Sequence, residues 1–82
     1  MVMYEAGMLA RSKAGHDKAQ MYIIKEVDDT YVYLVDGRIR TLGHPKKKKK
    51  KHVQIVHVIY NMKELDDAGI RKLIKDWMKE EK

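Results

Sequence analysis

The chain has 82 residues, 44% hydrophobic and 37% charged, with a formal net charge of +6. At this size folding buries only about 60–65% of the surface an extended chain exposes, which supports one domain and excludes an elaborate catalytic cleft. With no cysteine, disulfide staples and thiolate metal sites are excluded too, and stability must come from packing.

Residues 1–10 lack the basic start and apolar stretch of a signal peptide, and no segment approaches the roughly 18 apolar residues of a membrane span. A cytoplasmic protein is expected. A short apolar strand from Gly7 to Arg11 leads into a polar, glycine-containing loop through residues 11–18. Residues 21–27 and 31–35 are rich in aromatic and β-branched types, and Asp28-Asp29 punctuates them, the pattern of a hairpin. Asp36-Gly37 is a strong hairpin signal, because a type I′ turn needs residues that tolerate positive φ. It predicts a returning strand over residues 38–42. Residues 52–60 are too β-branched to favour a helix and form a fifth strand. Five short strands with tight connections suit a small barrel that closes on itself.

The tail changes period. Ile70, Leu73, Ile74, Trp77 and Met78 recur at helical spacing, with charged residues between them. The reading is a turn at residues 61–65 and a helix from about residue 67. Asp66 or Asp67 caps it, and Asp67 is placed to pair with Arg71. The expected organisation is a barrel over residues 1–60, with a basic loop at 43–52, and an amphipathic helix within 61–82 packed on or beside it. Trp77 sits mid-stripe, favouring docking on the barrel over base stacking.

All the excess charge lies early. Residues 1–51 hold twelve Lys and Arg against six Asp and Glu, whereas residues 52–82 hold six of each. Such asymmetry is the electrostatic footprint of a polyanion binder. Its densest part is Lys46, Lys47, Lys48, Lys49, Lys50 and Lys51, after Pro45. This run is expected to be a mobile loop that phosphates order. Neutralising roughly three to six phosphates, it gives a log–log salt slope of about −2 to −5.

The stretch Ala6-Gly7-Met8-Leu9-Ala10-Arg11-Ser12-Lys13-Ala14-Gly15-His16-Asp17-Lys18, followed by Tyr22-Ile23-Ile24, couples a Gly-led apolar strand to a basic Gly-containing loop and a second apolar strand. It resembles the KOW motif. The continuation through residues 27–33 and Leu34-Val35-Asp36-Gly37-Arg38 resembles the fourteen-e family of large-subunit ribosomal proteins and its short bacterial relatives. In those relatives a lysine-rich stretch ending in Lys-His, here Lys51-His52, leads to the last strand. The resemblance covers residues 5–56, and the helix less specifically. It implies a five-stranded SH3-like barrel, ribosomal RNA as the ligand and ribosomal proteins as possible neighbours. One departure is Ala19, where such loops commonly have glycine. If that site needs positive φ, alanine is strained there and the loop is shaped differently.

The resemblance places Arg11, Lys13 and Lys18 against RNA, with His16 able to add a hydrogen bond to sugar or phosphate. Arg38 and Arg40 share a face if their segment is a strand, and arginine forks onto phosphate or stacks on a base. Tyr22, Tyr31, Tyr33 and Tyr60 are expected in core or cross-strand packing more than as stacking platforms. His52 and His57, an odd number apart, face opposite sides of one strand, so no metal is expected. Nothing resembles a nucleophile–base pair or a phosphate-cradling glycine motif, so neither an enzyme, a cofactor nor a small-molecule substrate is expected. The rival reading is a protein-binding adaptor, as SH3-like and KOW modules of transcription factors are, using a barrel groove or the Trp77 helix. A membrane-surface role is weaker, because the lysine run has no adjacent apolar anchor.

Overall fold

The structure, a computed structural model, describes residues 3–13 and 20–80. Among these, five strands form one antiparallel sheet: β1 (Met8–Ser12), β2 (Met21–Val27), β3 (Tyr31–Val35), β4 (Lys46–Lys49) and β5 (Val53–Ile59), in the order β4-β3-β2-β1-β5. One α-helix, α1 (Asp67–Glu80), follows a 3-10 turn at Met62–Glu64. The protein is mainly β with a C-terminal helix, consistent with a small SH3-like barrel. The expected closure is not complete: β4 and β5 are the two edges, joined by a 3-10 turn at Lys50–His52 rather than by a ladder.

Runs such as Met8-Leu9-Ala10 and Met21-Tyr22-Ile23-Ile24 are apolar without alternation because both faces of the sheet are covered. One face curls on itself around Met8, Ala10, Tyr22, Ile24, Val32, Leu34 and Val53. The opposite face packs Leu9, Met21, Ile23 and Val35 against Ile70 and Ile74 of α1, with Leu73 and Trp77 at the margin. Sheet and helix therefore share a core and form one folding unit. Asp66 caps α1 by accepting the Gly69 N–H at 2.7 Å. The expected Asp67–Arg71 pair is replaced by two ties to the preceding loop: the Asp67 carboxylate accepts the Leu42 N–H at 2.8 Å, and Arg71 donates to the Gly37 carbonyl at 2.6 Å.

Two elements differ from expectation. Residues 38–42 are not a strand, because the Asp36 carboxylate accepts the N–H groups of Arg38 and Arg40, at 2.8 and 3.0 Å, closing a local bend. Gly37 does take positive φ, +78°, as the Asp-Gly signal requires. The fourth strand is instead the lysine run, which pairs with β3 in the register Tyr31↔Lys49, Val32↔Lys48, Tyr33↔Lys47 and Leu34↔Lys46. The expected basic loop at 43–52 is thus largely a strand and a 3-10 turn. Paired backbone, not side-chain propensity, holds it there.

Candidate nucleic-acid interface

Because strand residues alternate between faces, the lysines of β4 divide into two sets. Lys46 and Lys48 lie beside Leu34 and Val32 and are half-buried at the edge of the core. Lys47 and Lys49 are exposed on the other face, beside Tyr33 and Tyr31. Three lysines stand over tyrosine rings: Lys47 Nζ is 4.3 Å from the Tyr31 centroid, Lys50 Nζ 5.5 Å from Tyr4 and Lys46 Nζ 5.7 Å from Tyr22. Each such contact is worth about 0.5–1 kcal/mol at an exposed site and limits where the ammonium group wanders.

The 3-10 turn extends this edge around one end of the sheet. Lys50 N–H donates to the Thr30 carbonyl and Lys13 N–H to the His52 carbonyl, both at 2.9 Å. Lys13, Lys51 and His52, all exposed, are thereby gathered at that end. Tyr4 secures the turn by donating its hydroxyl hydrogen to the Lys50 carbonyl at 3.0 Å. Arg11 is half-buried on β1, opposite Met21 and Gln54. Arg40 joins Lys46 and Tyr22 in a depression of about 190 Å³, whereas Arg38 points to the helix side of the bend. The two arginines therefore do not share a strand face. His16, Lys18 and Ala19 lie outside the described residues.

An acid also sits at this edge. The Asp28 carboxylate accepts the N–H groups of Tyr31 and Thr30, at 2.6 and 2.9 Å, and the Tyr33 hydroxyl at 2.9 Å. Those backbone hydrogen bonds, Tyr31 first, hold its pKa below the ordinary 3.8, with Tyr33 and nearby Lys47 adding to the effect. The Tyr33 phenol is correspondingly raised by donating to Asp28. Asp28 is thus committed to its own turn while standing beside the cations.

Tyr22 is buried in the core and Tyr60 packs against the helix-side cluster. Tyr4 and Tyr31, and Tyr22 from its place in the core, support lysines. Sequence reasoning overlooked that role because the pairing depends on register across the sheet. Among the described residues no group of three or more His, Cys, Asp or Glu side chains is placed to hold a metal ion, and no helix is long and apolar enough to cross a membrane. No protein-family model matches the chain, and no curated protein matches it.

Proposed function

We propose that the protein binds RNA, gripping the phosphate backbone along β4, the 3-10 turn and the neighbouring sheet end. The observation that carries this reading is the conversion of a lysine run into an ordered edge strand. Its exposed members, Lys47 and Lys49, share one face with Cα atoms about 6.7 Å apart, a backbone repeat comparable with the spacing of successive phosphates in an extended strand. Lys51, Lys13 and Arg40 extend the basic surface, and Arg11, Lys18 and His16 join it on the KOW resemblance. That resemblance, over residues 5–56, also supports ribosomal RNA as the ligand and a cytoplasmic setting. Recognition rests on backbone and shape, since Tyr4, Tyr22 and Tyr31 carry lysines on their faces and the Tyr33 hydroxyl is held by Asp28. The apolar stripe of α1, which an adaptor would offer to a partner, is occupied by the protein's own sheet.

The test is RNA binding over a salt titration, comparing wild type with a Lys47→Gln/Lys49→Gln/Lys51→Gln variant. These three side chains are exposed, so the variant leaves the half-buried lysines and their packing in place. Loss of about three phosphate contacts flattens the log–log slope by about 2 to 3. A preference for folded ribosomal RNA fragments over heparin is expected in the wild type. An unchanged slope in the variant, or equal binding to any polyanion, would overturn the reading in favour of the adaptor.

A further inference from the structure

Helix α1 segregates its charges. At 3.6 residues per turn, Arg71 and Lys75 fall on one flank of the Ile70–Ile74 stripe, Lys79 and Lys72 continue from it onto the face opposite the stripe, and Asp76 lies just beyond Lys72. The basic flank faces the bend after β3. Arg38 from that bend and Arg71, Lys72, Lys75 and Lys79 from the helix line a cleft of about 710 Å³. The acid that also lines it, Asp36, has a carboxylate oxygen engaged by two backbone N–H groups. This cleft adjoins the depression that holds Arg40 and Lys46, for Gln20 and Asp36 line both. A line of cations therefore runs from β4 through Arg40 and Arg38 to the far end of α1.

We infer that the cleft is a second contact for the same polyanion: one RNA strand crosses the bend from the β4 edge and lays its phosphates along the basic flank of α1. The inference rests on the RNA-binding reading above. An acidic peptide is the less favoured occupant, because Ile74 is buried and Met78 alone offers a partly exposed large apolar side chain in the cleft. Backbone phosphates need cations in a row and no side-chain pocket. Arg71 spends one N–H on Gly37 and keeps further donors for a phosphate.

The experiment compares the full chain with a Lys72→Gln/Lys75→Gln/Lys79→Gln variant and with the β4-edge variant, using short (about 4-nucleotide) and long (about 16-nucleotide) oligouridylate. The three helix lysines are exposed, so unchanged thermal unfolding confirms an intact fold. For the long probe the helix variant loses about 2 from the salt slope, a loss on the order of 100-fold in affinity at 0.1 M salt when affinity at 1 M is unchanged. For the short probe the edge variant alone loses affinity. A helix variant that binds the long probe with wild-type slope overturns the inference and leaves the edge reading standing. The same result accompanied by lost binding of oligoglutamate also overturns it and assigns the cleft to an acidic protein segment. Failure of the wild type to bind the long probe overturns the inference, and the edge reading is then decided by the titration with folded ribosomal RNA fragments.

Discussion

At Asp28 a single carboxylate organises the β2–β3 turn and stands beside the basic edge. Its lowered pKa means that the folded state releases this proton more readily than the unfolded chain. The stability it contributes is therefore present above the unfolded value, near 3.8, and is lost as pH falls through the folded pKa. Asp28→Asn is expected to unfold at a lower temperature than wild type at neutral pH, with the gap closing in acid. Carboxyl-carbon NMR should show Asp28 titrating below its ordinary value, and Tyr33→Phe should move that midpoint upward. Gly37 makes a second argument at this scale. A Cβ there would meet the Asp67 carbonyl oxygen as well as Arg71, and φ is +78°. Gly37→Ala is expected to cost at least about 1–3 kcal/mol from backbone strain, measured by urea denaturation. Gly43→Ala is the control, since a Cβ there meets nothing within 4 Å.

Among the elements, α1 is the one whose role follows most directly from packing. Ile70 is fully buried and covers Leu9, Met21, Ile23 and Val35, so Ile70→Ala is expected to cost about 2–5 kcal/mol. A chain truncated after Tyr60 should lose cooperative unfolding in calorimetry, which makes surface substitution, not helix deletion, the right test of partner binding. Both α1 and strands β1, β2, β3 and β5 were legible in the sequence, because period 3.6 and β-branched runs are local signals. The fourth strand was not. Lysine has little strand propensity, and residues 46–49 are extended because β3 supplies a ladder that only the assembled sheet contains. The bend after β3 was half legible: Asp36-Gly37 marked a turn, but capture of two N–H groups by the Asp36 carboxylate took donors that a returning strand would have used. Lysines on an edge strand also discourage pairing with a second chain, so β4 has a structural use that is compatible with phosphate binding.

For the molecule as a whole, folding brings a sequence-distant cation to the lysine run, because the Lys13 N–H donates to the His52 carbonyl at 2.9 Å. Lys47 and Lys49, two residues apart on one face of an extended strand, are already near the largest Cα separation their chain spacing allows, so folding adds little to the repulsion between these two. Lys13, Lys50 and Lys51 crowd the adjoining end. Salt screens such repulsion, since the Debye length falls from about 30 Å at 0.01 M to about 10 Å at 0.1 M. The melting temperature of the wild type is therefore expected to rise as KCl is increased from dilute buffer to about 0.1 M. The Lys47→Gln/Lys49→Gln/Lys51→Gln variant gives up the Lys47 contacts with Tyr31 and Asp28 as well as the crowding of charge, so the expected signature is a melting temperature that responds less to KCl than that of the wild type. RNA should act differently from salt, stabilising the wild type in proportion to the logarithm of its free concentration above Kd and the variant much less. Equal salt responses in the two proteins would locate the repulsion elsewhere than the β4 edge, and would leave its lysines as solvated groups with no stored field for a phosphate backbone to relieve.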